Sequence, residues 1–143
     1  MMLIPYVYYP GTAGEAFDFY VKTLGGKIGA YIKYNSGPHG PMSPGPEFAE
    51  KAMHACYQGP GITLFATDLE AKDYTKAAGF DIMLSVDSPE EAERIWKAFS
   101  DGGTILQPLE ETFWAHRFGK ITDRWGIPWM INAPKPMKPP SQE

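Results

Sequence analysis

The feature that most constrains this chain is a repeat in its punctuation. Thr12 and Ser88 each open a helix-start pattern, and they lie 76 positions apart. The glycine pairs Gly25-Gly26 and Gly102-Gly103 lie 77 apart, as do the apolar stretches that begin at residues 3 and 80. Three marks at offsets of 76, 77 and 77 predict an internal duplication. In each half the order reads strand, helix, then three strands. Two such βαβββ units sharing a sheet bury the side that faces the helices and leave the other side concave.

The local signals support that reading. Residues 3–9 are aromatic and β-branched, and Pro5 suits the start or edge of a strand. Thr12-Ala13-Gly14-Glu15 fits a capping box, in which the Thr side chain and Glu15 satisfy the first free N–H groups. Ala13, Ala16, Phe17, Tyr20, Val21 and Leu24 then fall on a single helix face, and Gly25-Gly26 stops the helix. Strands are predicted at 27–34, 51–58 and 61–67, followed by a polar connector. The second half repeats this with a strand at 80–86 and a capping box at Ser88-Pro89-Glu90-Glu91. A helix face of Ala92, Ile95, Trp96 and Phe99 comes next, then strands at 104–109, 112–118 and 127–133. The expected organisation is one domain over 1–133, with modules at about 3–67 and 80–133. The Pro-rich segment 134–143 lacks an apolar period and is expected to be disordered. Residues 35–47, dense in Gly, Pro and Ser, are expected to form a long mobile lid.

Composition removes several classes of function. The net charge is −4 and basic residues are scattered, so the footprint of a nucleic-acid binder is missing. No apolar run approaches the roughly 20 residues that span a bilayer, and the N-terminus lacks a signal-peptide pattern. With Cys56 as the only cysteine, no internal disulfide forms, which fits a cytoplasmic protein.

Several motifs together resemble a known family. They are Pro5-Tyr6 with the helix Glu15-Ala16-Phe17-Asp18-Phe19-Tyr20, Lys51-Ala52-Met53-His54-Ala55, Thr112 to Gly119, and Thr122 to Asn132. With the βαβββ–βαβββ order, they resemble the PhnB-like branch of the vicinal oxygen chelate superfamily, which includes glyoxalase I, bleomycin-resistance proteins and extradiol dioxygenases. The resemblance implies an α+β fold with an open, cup-shaped mixed sheet. Proteins of this type often carry a demethylubiquinone methyltransferase label, yet no Gly-rich turn between strand and helix offers a nucleotide or methyl-donor site.

Superfamily enzymes hold a divalent metal with four side chains, two from each unit. The register implied by the resemblance puts Pro5, Thr63 (Phe65 if it slips by two), Asp81 and Met130 at those positions. Of these only Asp81 suits a hard metal, whereas a catalytic site needs about three protein ligands. No metal is therefore expected there, although a relocated site around His54 stays open.

The same register turns Val7, Tyr9, Thr63, Phe65, Asp81, Met83, Ser85, Met130 and Asn132 toward the cup. It turns Ile62, Leu64, Ile82, Leu84, Val86, Trp129 and Ile131 under the helices. An apolar, aromatic cup with few polar points suits a flat or partly apolar ligand. His54 reads either as a general base or metal ligand, or as a strand histidine bonded to a neighbour. Trp114 and His116 read as a same-face pair. Arg117 reads either as a carboxylate- or phosphate-binding group or as a partner of Asp123.

The candidate catalytic residues are thus His54 and Arg117. The candidate ligand-binding residues are Tyr9, Phe65, Asp81, Trp114, His116, Met130 and Asn132. A sequestering binder, an enzyme (lyase, isomerase or dioxygenase, metal-dependent or acid–base) and a regulatory dimer are the competing functions. Homodimerisation is expected through the Tyr- and Val-rich strand at 6–9.

Overall fold

A computed structural model describes residues 1–36 and 44–136. The central part of the expected lid, with His39, and residues 137–143 of the expected tail lie outside the described residues. The chain divides into two compact units, Met1–Thr75 and Lys76–Glu143.

The first unit runs β1 (Tyr6–Tyr9), α1 (Ala13–Leu24), β2 (Lys27–Lys33), a 3-10 turn at Pro46–Phe48, β3 (Ala52–Gly59) and β4 (Ile62–Asp68). Its sheet order is β1-β4-β3-β2. β1 pairs parallel to β4, while β3 pairs antiparallel to β4 and to β2. The second unit runs β5 (Ile82–Ser85), α2 (Pro89–Ser100), β6 (Thr104–Glu110), β7 (Ala115–Thr122) and β8 (Pro128–Pro134). Its sheet, β5-β8-β7-β6, has the same parallel and antiparallel pattern. The fold is α+β, and the duplication is real at the level of topology.

Helix α1 forms where the apolar spacing places it and buries Ala13, Ala16, Phe17 and Tyr20. Phe17 sits at the centre of an aromatic cluster. Its ring centroid is 6.1 Å from Tyr9, 6.0 Å from Tyr20 and 6.0 Å from Tyr57. The hydroxyls in this core are satisfied: Tyr9 and Tyr20 share a bond of 3.2 Å, and Tyr57 donates to the Gly25 carbonyl at 2.7 Å. Each such side chain contributes about 1.5–3 kcal/mol on burial, and the paired hydroxyls avoid the penalty of an unmet polar group.

The capping of α1 departs from expectation. The Thr12 side chain makes no cap bond, and its hydroxyl is buried without a hydrogen-bond partner among the described residues. The backbone at Thr12 (φ −117°, ψ 14°) is not the extended conformation that aims a capping side chain at the helix. The Ala13 N–H instead donates to Asp68 Oδ1 at 2.9 Å, and Ala52 N–H donates to Asp68 Oδ2 at 2.9 Å. One carboxylate at the end of β4 thus ties the helix start to β3. Its burial pushes the Asp68 carboxyl above the usual range, against the lowering effect of these backbone bonds.

In the second unit the cap is as expected: Ser88 Oγ accepts from Glu91 N–H at 3.1 Å, with Pro89 at the first helical position. Glu91 is turned to Arg94 rather than back to the cap. Helix α2 buries Ala92, Ile95 and Phe99, and Phe99 meets Trp129 edge-on at 5.4 Å. The Trp129 indole donates to Asp123 Oδ2 at 2.9 Å, while Asp123 Oδ1 accepts from Trp125 and Ile127 N–H. Asp123 therefore braces the β7–β8 hairpin, and it is not the partner of Arg117.

Candidate functional site

Each sheet has one face packed on its helix and one face turned away from it. On the first sheet, Val7, Tyr9, Leu64, Ala66 and Tyr57 are buried on the helix side. Strand alternation sends Tyr6, Tyr8, Phe65, Thr67, His54 and Cys56 to the open side. Tyr9, expected in the cup, is fully buried under α1, and Val7 goes with it. The side of β1 is set by fitting Tyr9 against Phe17 and Tyr20, which places Tyr6 and Tyr8 outward.

His54 and Phe65 meet there, with Tyr6 as a third member. The His54 ring lies 5.0 Å from Phe65 and 5.9 Å from Tyr6, and Phe65 meets Tyr6 edge-on at 6.2 Å. His54 Nδ1 and the Tyr6 hydroxyl are 3.2 Å apart. Burial, with smaller effects from Tyr8 and Tyr34, raises the Tyr6 pKa, so this hydroxyl stays protonated and available as a donor. With Tyr6 donating to Nδ1, a neutral His54 ring carries its proton on Nε2. The Tyr34 hydroxyl bonds Thr67 Oγ1 at 3.2 Å and donates to the Asp68 carbonyl at 2.7 Å. The result is a corner of aromatic rings with an imidazole and hydroxyls at its edge. It can accept a flat molecule, and it holds one titratable ring in hydrogen-bond contact with a phenol.

On the second sheet, Leu84, Trp129, Ile131, Ala133 and Ile121 are buried on the helix side. Met83, Ser85, Met130, Asn132, Phe118 and Lys120 alternate to the other side. Met83 is paired with Met130, and Ser85 and Phe118 flank Asn132. Trp114 meets Phe118 edge-on at 5.3 Å and keeps 43% of its surface exposed. Asp81, just before β5, is paired with Lys120 at 3.4 Å. Of the expected ligand-binding residues, Met130 and Asn132 share the open side of β8, Asp81 lies by Lys120 at one end of the sheet, and Trp114 lies by Phe118 toward the other.

Arg117 is a correction. It lies on the helix side of β7, where its Nε donates to Glu93 of α2 at 3.0 Å and its Nη1 to the His116 carbonyl at 2.6 Å. An irregularity between Ala115 and Arg117 breaks the strand alternation there. Strict alternation therefore does not join His116 to Trp114, whose ring contacts are with Phe113 and Phe118.

The donor set at the superfamily metal positions does not fit a metal. Pro5 and Met130 offer no hard ligand, and the Asp81 carboxylate is already neutralised by the Lys120 ammonium. Among the described residues no three His, Cys, Asp or Glu side chains lie close enough to hold an ion.

Tyr6, Tyr8, Tyr34, Thr67 and Lys120 were not among the expected site residues. The duplication itself carried a signal for the first: the 77-residue offset applied to Met83 lands on Tyr6.

The sequence pattern of the 3-demethylubiquinone-9 3-methyltransferase family matches residues 1–132. The chain belongs to that family. It is 32% identical over 142 residues to protein YjdN of Escherichia coli strain K12, covering 94% of this chain and 97% of the relative. Protein PA1353 of Pseudomonas aeruginosa, a crystal structure, superposes with a TM-score of 0.86 at 36% identity over 95% of this chain and 99% of that one. Two more distant structures share the fold alone. One is a PhnB protein from Bacillus cereus, described as a putative family methyltransferase (TM-score 0.78, 20% identity, 93% and 99% covered). The other is TnmS3, an antibiotic binding protein from Streptomyces sp. CB03234 (TM-score 0.56, 19% identity, 94% and 98% covered). The PhnB-like resemblance and the glyoxalase/bleomycin-resistance type of fold read from the motifs are thereby confirmed for this family member.

Proposed function

We propose that this family member is a small-molecule binding protein that holds a flat, partly apolar ligand without chemically changing it. One observation carries the reading: both sheets present aromatic and thioether side chains on the side away from the helix. Among them Tyr6, Tyr8, Met83 and Trp114 are exposed. Apolar surface left open in this way is retained for contact with something else. The antibiotic-binding description of TnmS3 supports the same use of the fold.

The family description names a methyl transfer. The two strand-to-helix turns here, 10–12 and 86–88, hold a single glycine, Gly11. That favours binding over transfer, because a nucleotide-type methyl donor is usually cradled by a Gly-rich turn of this kind. We further propose that the protein works without a metal at the superfamily position, as a cytoplasmic homodimer.

A second reading is favoured by the bond between His54 Nδ1 and Tyr6. In it, His54 Nδ1 acts as a general base that takes a proton relayed through the Tyr6 hydroxyl, or Tyr6 acts as an acid. One experiment separates the two. A panel of polycyclic aromatic compounds is titrated calorimetrically against the parent and Phe65→Ala, and each mixture is checked for products. Binding weakened about 10-fold by Phe65→Ala, with no turnover, is the expected result. Turnover abolished by His54→Gln would establish the enzyme, and a panel with no binder would reject the binding reading.

A further inference from the structure

We infer that Asn132 is the polar anchor of a ligand subsite on the second sheet, accepting a hydrogen bond from an N–H or O–H group of a planar aromatic molecule seated against Trp114 and Phe118. The inference rests on the binding reading above and adds to it a requirement on the ligand, a donor.

Asn132 lies in β8 between Ser85 and Phe118, on the side away from α2. Only 8% of its surface is exposed, and its Oδ1 has no hydrogen-bond partner among the described residues. A buried amide oxygen of this kind forfeits its bonds to water and gains none in return, which protein interiors seldom tolerate. Phe118, 8% exposed, is its cross-strand partner, and Trp114, 43% exposed, meets the Phe118 ring at 5.3 Å, so an aromatic surface adjoins the residue that carries the unmet acceptor. An apolar wall with one convergent polar group is the composition of a specific ligand site.

The other unit supplies an internal control. Tyr8 pairs with Thr67 in β4 as Ser85 pairs with Asn132 in β8, so Thr67 and Asn132 occupy equivalent positions. Thr67 Oγ1 has partners within its own unit, its one proton going to the Ala52 carbonyl at 3.3 Å or to the Tyr34 hydroxyl at 3.2 Å. At the 77-residue offset the counterpart of Tyr34 is Glu111, whose carboxylate is paired with Lys135. The fold can therefore satisfy this position from within, and does so in one unit. In the other it leaves an acceptor beside aromatic rings. That difference points to a ligand rather than to a general property of the strand.

Two probes with the same ring system test this: 2-naphthol, which carries the donor, and 2-methoxynaphthalene, in which a methyl replaces the proton. Both are titrated by calorimetry against the parent, Asn132→Leu and Trp114→Ala, while the Asn132 side-chain amide is followed by NMR. The parent is expected to bind the naphthol about 10-fold more tightly than the ether, with a shifted Asn132 amide. The preference should vanish in Asn132→Leu, and Trp114→Ala should weaken both probes alike. Equal affinities in the parent overturn the anchor while leaving the binding reading in place, and this holds even where Asn132→Leu fails to fold. If neither probe binds the parent, both the anchor and the aromatic-binding reading fall.

Discussion

Asp68 is the residue whose removal should cost the first unit most for its size. It is 1% exposed and accepts from Ala13 N–H and Ala52 N–H, both at 2.9 Å. In Asp68→Ala both donors lose their partner, at about 1–3 kcal/mol for each buried group left unmet. Relief of burying a charge offsets part of that, so a net loss of about 2–4 kcal/mol is expected. Asp68→Asn keeps one acceptor and sets an NH₂ against the other N–H, so it should lose about half as much.

Aromatic composition makes the assay selective. All eight tyrosines fall in the first unit and all four tryptophans in the second. Urea unfolding followed by near-ultraviolet circular dichroism of tyrosine should shift, while tryptophan fluorescence reports the other unit. The pH dependence has a definite sign. The folded pKa of Asp68 is raised, so between the unfolded and folded values the native state binds the extra proton. Its linkage contribution is fully present below the unfolded pKa and is lost as pH rises through the folded one. The gap in stability between the parent and Asp68→Asn should therefore widen as pH falls from neutral into the range just above the ordinary carboxylate pKa. A loss below about 1 kcal/mol in Asp68→Ala, or a gap that narrows on acidification, would refute the bracing role.

Arg117→Ala should leave aromatic-probe affinity unchanged and cost less than about 1 kcal/mol, because its Glu93 partner is mostly exposed; a tenfold loss of affinity in calorimetry would return Arg117 to the ligand site. Light scattering at low micromolar concentration should give twice the 15.9 kDa chain mass, and a mass near one chain rejects the homodimer. On the same sample, elemental analysis should find no stoichiometric divalent metal; about one ion per chain, lost in Asp81→Ala, would restore the superfamily metal site.

The elements were legible where local chemistry decides them. Helix α1 spans Ala13–Leu24, the bounds its apolar period and Gly25 imply, because one face and one stop signal suffice. The side of β1 was not legible. Its four residues, Tyr6 to Tyr9, are all aromatic or β-branched, so a period of two leaves no polar mark to say which face is inside. The Thr12 cap was misread because the backbone there is not extended, and the group that does bind the helix start is remote: Asp68 stands 55 residues beyond Ala13 and lies at the end of β4, which pairs with β1. Arg117 was read from the chemistry of its guanidinium, and its partner Glu93 lies 24 residues away on α2, a pairing that no local pattern announces.

The register equates positions in the two units, and the comparison separates what the fold demands from what it leaves free. Three helix-side pairs stay hydrophobic, Val7 with Leu84, Leu64 with Trp129 and Ala66 with Ile131, and the fourth sets the buried Tyr57 ring against Ile121. The packing under each helix admits little else. On the open side most pairs change chemical class. Tyr6 answers to Met83, Tyr8 to Ser85, His54 to Phe118, Cys56 to Lys120, and Thr67 to Asn132. A phenol, an imidazole and a hydroxyl in one copy stand against a thioether, a phenyl and an amide in the other, on the same backbone. The backbone pairing is satisfied by either set, so the fold does not choose between them. What distinguishes the two sets is the contacts each can make beyond its own sheet, so each open face is free to take its own chemistry.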